Sequence, residues 1–156
     1  IGREIARMAA GLGMKVVGYD PFPNREALQP LGIALLERDE VLRQADAVFL
    51  CLPLTEETQH MICSATLSLM RRDAYLINPA RGGLIDEDAL YAALKSGRIA
   101  GAAVDVMTEE PPAPGCPLLE LDNFLVTPHL GAFTEESRER SFSMSVEHLV
   151  ELLGGR

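Results

Sequence analysis

Residues 47–52 read Ala-Val-Phe-Leu-Cys-Leu, an uninterrupted apolar run closed by Pro53. Continuous rather than alternating hydrophobicity is what a strand buried on both faces of a parallel sheet requires, because helices cover each side. Comparable segments lie on either side of it. Lys15–Tyr19 is a short β-rich stretch ending at Asp20, Ile33–Leu36 reads as another, and Ala74–Ile77, Ile99–Val104 and Asn123–Val126 lie downstream. Between them the apolar period changes to that of a helix. Ile1, Ile5, Met8 and Leu12 recur at helical spacing and the pattern closes at Gly11/Gly13. Asp39–Ala45 reads as a helix capped by Asp39, and Ser64–Met70 as a short helical stretch. Asp86, with Glu87 and Asp88 next to it, starts a helix that carries Leu90, Ala93 and Leu94 and ends at Gly97, with acids where the dipole favours them. The last helix runs from Thr134 to Leu153, with Phe142, Val146, Leu149, Val150 and Leu153 as its apolar stripe. Strands alternating with helices make a doubly wound parallel α/β sheet.

The chain has 156 residues, one domain's worth on the usual ~100–200 residues per domain. Hydrophobic residues make up 47% and charged residues 24%, which excludes disorder and fibrous repeats. Fourteen Lys and Arg against 23 Asp and Glu leave a net charge of −9, with no basic cluster beyond Arg71-Arg72. Nothing here can track phosphates, so nucleic acid and anionic membrane surfaces are excluded as partners. The longest apolar runs fall well short of the ~20 residues that span a bilayer. Cys51, Cys63 and Cys116 are odd in number and widely spaced, giving neither a disulfide framework nor a metal site, and a reducing cytoplasmic setting is expected. Each reads as a small buried or half-buried residue, Cys51 most of all. Because Ile1 is already in helical register, the chain is read as a piece of a longer polypeptide.

In an open α/β sheet, ligands bind beyond the carboxyl ends of the strands. Polar, Gly and Pro residues gather there: Asp20, Pro53-Leu54-Thr55, Asn78 through Gly83, Asp105 through Glu110, and Pro128 through Gly131. Asp20 ends its strand 18 residues after Gly2, the spacing at which an acid in a dinucleotide fold accepts from the adenosine ribose; a turn-forming Asp before Pro21 is the competing reading. Gly2 can be only the last glycine of a G-x-G-x-x-G loop. Among the three histidines, His60 and His148 sit in polar stretches and read as solvated. His129 comes after a strand and a proline at the ligand edge, where an imidazole can exchange a proton near neutral pH. Glu109 and Glu110 lie on the same edge, and either could orient and charge-stabilise it. Arg81, between Ala80 and Gly82-Gly83, is a lone cation on a tight loop, suited to forking onto a carboxylate.

Taken together, Gly18-Tyr19-Asp20-Pro21, Pro53 through Thr58, Ile77 through Gly83, Gly101 through Val106, Glu109-Glu110-Pro111 and Thr127 through Ala132 resemble the D-isomer-specific 2-hydroxyacid dehydrogenase family, within it the phosphoglycerate dehydrogenase-like and hydroxypyruvate/glyoxylate reductase branch. The resemblance implies a Rossmann-type sheet and an NAD-dependent enzyme acting on a small 2-hydroxy or 2-keto acid, expected to be a cytoplasmic homodimer. By this similarity Arg81 binds the substrate's carboxylate and carbonyl, His129 exchanges a proton with the 2-hydroxyl, and Glu110 pairs with His129. Asp105 would hold the nicotinamide carboxamide and Asp20 the ribose. Ile1, Gly2, Pro53, Thr58, Pro79, Ala80, Arg81, His129, Leu130, Gly131 and Ala132 would line the cofactor. No metal is implied.

Compared with the family pattern, the chain lacks the first strand and two glycines of the phosphate loop. It also lacks the flanking substrate-binding domain, so residues 1–153 are read as a partial NAD-binding domain. Phe133 stands where smaller residues or tryptophan are familiar. A rival reading is a non-catalytic NAD sensor or corepressor-like protein on the same scaffold. A Rossmann methyltransferase is disfavoured, since that chemistry has no use for an Arg, a Glu and a His at three successive strand ends.

Overall fold

Each segment of alternating period folds locally, and the computed structural model describes residues 1–154. Helix α1 is Gly2–Gly11 and strand β1 Val17–Gly18. After Pro21 and Pro23, Asn24 accepts the Ala27 N–H (3.0 Å) and caps helix α2, Arg25–Leu28, which runs on into a 3-10 turn at Gln29–Leu31. The two prolines and Asn24 read in the sequence as a break, and they conceal this helix. Strand β2, Ala34–Leu35, pairs in parallel with β1.

Helix α3 spans Arg38–Gln44 and is preceded by extended Glu37, so Asp39 is not its cap. The Asp39 carboxylate instead sits in the first turn, 2.8 Å from Arg38 and 4.0 Å from Arg43. Strands β3 (Ala47–Phe49), β4 (Tyr75–Asn78), β5 (Gly101–Val104) and β6 (Phe124–Val126) form a four-stranded sheet in that order, every neighbour parallel. The crossovers carry α4 (Ser64–Leu67), α5 (Glu87–Lys95) and a 3-10 turn at Pro117–Glu120. Helix α4 is shorter than expected because Leu69 and Met70 donate three residues back, tightening the chain into a turn. Asp86 caps α5 by accepting the Ala89 N–H at 3.0 Å, and Gly97 takes the left-handed φ of +64° that stops the helix. Helix α6 is Glu135–Gly154, its first turn closed by Thr134 Oγ1 accepting the Ser137 N–H.

One side of the four-stranded sheet is the core. Val48, Leu76 and Val104 are buried there with Leu42 of α3, Leu67 of α4 and Leu90 and Leu94 of α5. The other side corrects the expectation for residues 47–52: Phe49, Tyr75 and Leu125 are 45%, 55% and 64% exposed. The ladder also stops at Phe49, apart from Leu50 N–H donating to the Ile77 carbonyl (2.9 Å), and Cys51 is exposed rather than buried. The packed helices α3, α4 and α5 all serve the Val48 side, which leaves alternate residues of the run open. The stripe on α6 is likewise exposed, Phe142 at 73%. Among the described residues no helix is long and apolar enough to cross a membrane.

Candidate active site

The carboxyl ends of β4, β5 and β6 lie side by side, and each contributes a loop. Asn78, the last residue of β4, is buried, and its amide fastens the loop beyond it: Nδ2 donates to the Arg81 carbonyl (2.8 Å) and Oδ1 accepts the Ala80 N–H (3.1 Å). A buried polar group must be bonded, so Asn78 fixes the path of Pro79, Ala80 and Arg81. Gly82 then turns the chain into a short 3-10 helix with no room for a side chain, because a Cβ there would fall on the Met107–Thr108 peptide. The Arg81 side chain is exposed, bonded to the Ala80 carbonyl at 2.6 Å and in no ion pair among the described residues. It is a cation without an acidic partner among the described residues, on a loop whose path is fixed.

From β5 comes Asp105. Its carboxylate accepts the N–H groups of Leu130 and Gly131, both at 2.8 Å, and the Thr127 hydroxyl. Partial burial works against ionisation, yet these three bonds and the nearby His129 hold the carboxyl below the ordinary Asp range. A Cβ on Gly131 would sit 3.1 Å from Asp105 Oδ2, so glycine permits the close approach. The loop after β6 is thereby wrapped around the end of β5.

His129 takes its conformation from this wrapping. Its N–H donates to the Asp105 carbonyl at 2.9 Å and its φ is +54°, the left-handed region that non-glycine residues rarely occupy. Such strain is found where surrounding contacts over-determine the backbone, frequently at functional sites. The ring then meets Glu110, Nδ1 to Oε2 at 3.0 Å, while Glu110 Oε1 accepts the Met107 N–H at 3.3 Å. The bond from His129 holds the Glu110 carboxyl below its ordinary range. Because an ionised carboxylate only accepts, Nδ1 carries the hydrogen, and Nε2 has no hydrogen-bond partner among the described residues. Both side chains are about half exposed, at 53% and 40%. Of the two glutamates, the ring bonds to Glu110 and not to Glu109.

The remaining candidates divide into two groups. Pro53 and Thr58 belong to a turn in which Thr58 Oγ1 donates to the Pro53 carbonyl (2.8 Å) and accepts the Thr55 N–H (2.7 Å). That turn is tied to the Arg81 loop by His60 N–H donating to the Gly83 carbonyl at 2.9 Å. Ile1, Gly2 and Asp20 lie in the other half of the chain, and no hydrogen bond among the described residues links them to the His129 cluster. Asp20 Oδ1 accepts the Phe22 N–H (2.8 Å), the turn-forming role, while Oδ2 has no partner among the described residues. Gly2 brings the start of α1 against the chain just beyond β3, where a Cβ would lie 3.2 Å from that of Cys51. Asn78 and Thr127 appear in the sequence only as members of strand-end motifs; in the structure Asn78 fastens the Arg81 loop and Thr127 bonds to the Asp105 carboxylate. No group of three or more metal-ligating side chains occurs among the described residues.

Parallel strands with their functional loops gathered at the carboxyl edge define a Rossmann-type domain. The family model for the NAD binding domain of D-isomer specific 2-hydroxyacid dehydrogenases matches residues 1–131, and the chain belongs to that family. It is 43% identical over 156 residues to the D-3-phosphoglycerate dehydrogenase of Methanocaldococcus jannaschii, covering 99% of this chain and 30% of that protein. It is 41% identical over 155 residues to the glyoxylate reductase of Korarchaeum cryptofilum, covering 99% and 47%. Among solved structures, the NAD-complexed D-isomer specific 2-hydroxyacid dehydrogenase of Lactobacillus delbrueckii ssp. bulgaricus superposes with a TM-score of 0.91 at 35% identity, over 100% of this chain and 51% of that one. The chain thus spans about half the length of these relatives, or less.

Proposed function

We propose that this chain is the NAD(H)-binding part of a D-2-hydroxyacid dehydrogenase that interconverts a small 2-keto acid, such as hydroxypyruvate, glyoxylate or the ketone of 3-phosphoglycerate, with its alcohol. The observation that carries the reading is the strained His129 held 3.0 Å from Glu110 at the strand ends. The cofactor, when bound, supplies or accepts the hydride. Reduction of a ketone leaves an alkoxide that needs a proton, and His129 Nε2 is placed to give it. The Glu110 carboxylate accepts from Nδ1 and fixes the ring's orientation. Arg81, with no acid of its own among the described residues, has its guanidinium available for the substrate's carboxylate.

The chain's own residues fit the cofactor. The first N–H groups of α1 have no intrahelical acceptor and can receive a phosphate. Asp20 keeps one carboxylate oxygen for the ribose, and Asp105 keeps acceptor capacity on Oδ2 for the nicotinamide amide. No Arg occupies the four positions after Asp20, and a carboxylate repels a 2′-phosphate, which supports NAD(H) over NADP(H). The reading includes a cytoplasmic homodimer, in keeping with three free thiols and the exposed stripe of α6.

The test is steady-state turnover by the full-length protein on a panel of 2-keto acids with each cofactor. We expect turnover with NADH, and kcat/KM for NADH well above that for NADPH. Residues 1–156 alone should show no turnover, since they lack the complete phosphate loop and a second domain to exclude water. A full-length protein that binds NADH but reduces none of the acids would instead be the non-catalytic sensor on this scaffold.

A further inference from the structure

We infer that Glu87 is a positioning residue for the Glu110–His129 pair, acting by holding the Met107–Glu110 turn; this rests on the dehydrogenase reading above. Asp86 already caps α5, so the neighbouring Glu87 carboxylate is not needed by the helix. It leaves the helix surface and accepts the Thr108 N–H at 2.7 Å, a bond between residues 21 apart in sequence. The same peptide, Met107–Thr108, is the one against which Gly82 packs with no space for a Cβ. It is therefore gripped from two sides, by the Arg81 loop and by the start of α5.

The grip matters because the chain just beyond that peptide has little else beneath it. The Met107 side chain is buried in the core, but Thr108, Glu109 and Glu110 are exposed. Under the loop they begin lies a cleft of about 210 Å³, between α5 and Pro112–Pro117, so no packed core supports it directly. The Met107 N–H meanwhile donates to Glu110 Oε1, and Glu110 Oε2 faces the ring. Orientation thus passes from Glu87 through the two successive peptides that flank Met107, and then one carboxylate, to His129. Without Glu87 the Thr108 N–H loses its only protein acceptor among the described residues, and the turn is free to shift over the cleft. Displacements on the order of 1 Å at such distances cost up to ~100-fold in rate.

The experiment compares Glu87→Ala, Glu87→Gln, Glu110→Gln and the double variant Glu87→Ala/Glu110→Gln in the full-length enzyme. Glu87→Ala should lower kcat for keto-acid reduction about tenfold and leave the Kd for NADH unchanged. Glu87→Gln keeps an amide oxygen able to accept the Thr108 N–H and should recover most of the wild-type rate. Since Glu87 acts through Glu110, the double variant should be no slower than Glu110→Gln. Amide hydrogen exchange of the 107–110 segment should quicken in Glu87→Ala and not in Glu87→Gln. Wild-type kcat in Glu87→Ala, or effects that add in the double variant, would overturn the inference while leaving the dehydrogenase reading standing. Absence of turnover in the wild type would overturn that reading itself.

Discussion

From β4 to β6 every loop is tied to the next: Asn78 to Arg81, Gly82 to Met107, Glu87 to Thr108, Asp105 to Leu130 and Gly131, Glu110 to His129. From α1 to β2 the picture is different. Strands β1 and β2 form a separate two-stranded ribbon without a buried residue, α2 buries none, and α1 buries only Ala6. His129 and Glu110 are thus fixed by contacts inside the chain, whereas Gly2 and Asp20 lie in segments with little hold of their own.

The sharpest way to break this contrast is to remove one residue from each region. In the full-length enzyme His129→Ala should lower kcat by ~10²–10⁴ with little change in NADH affinity, as loss of a general acid does. Asp20→Ala should do the reverse, weakening NADH and narrowing its advantage over NADPH while leaving kcat nearly intact. Steady-state kinetics with both cofactors at saturating keto acid decides it. A large kcat loss in Asp20→Ala would show that the two regions are coupled.

Packing should divide along the same line. Leu76, fully buried at the centre of the sheet, should cost about 2–5 kcal/mol on truncation to Ala. Leu35, half-buried in the ribbon, should cost about 1 kcal/mol or less. Urea unfolding monitored on both variants gives the comparison, and equal losses would mean that the ribbon is as firmly held as the core.

The smallest effect refines the site alone. His129 holds the Glu110 carboxyl below its ordinary range, so Glu110 remains an ionised acceptor for Nδ1–H to lower pH than a free glutamate. Glu110→Gln keeps a neutral acceptor of the same shape, so kcat/KM for reduction should fall about tenfold, less than in His129→Ala. An unchanged kcat/KM would point to Glu109.

Much of this is legible in the chain because the signals are local. Asp86 with Glu87 and Asp88 announces α5, Pro and Gly mark the strand ends, and Arg81, Asp105 and His129 fall where a parallel sheet puts its ligands. The misleading signals have local causes too. Asp39 looks like a cap, but its carboxylate is engaged by Arg38 and Arg43; Asn24 caps a helix hidden among prolines. An apolar run says that a strand is hydrophobic, not how many of its faces are covered, and so it misplaces Phe49 and Cys51. The grip of Glu87 on Thr108 is beyond any reading by period or motif, since it exists only once two distant segments meet.

The strand order of the larger sheet also bears on time. Ala47 pairs with Tyr75, Tyr75 with Gly101 and Ala102 with Phe124, so each strand's partner is the next one along the chain. As the polypeptide emerges, β4 can dock on β3, then β5 on β4 and β6 on β5, each step closing one loop of modest length, whose entropic cost grows only slowly with size. The loop bearing His129 comes last in that sequence, so the site is completed only when the sheet beneath it already stands.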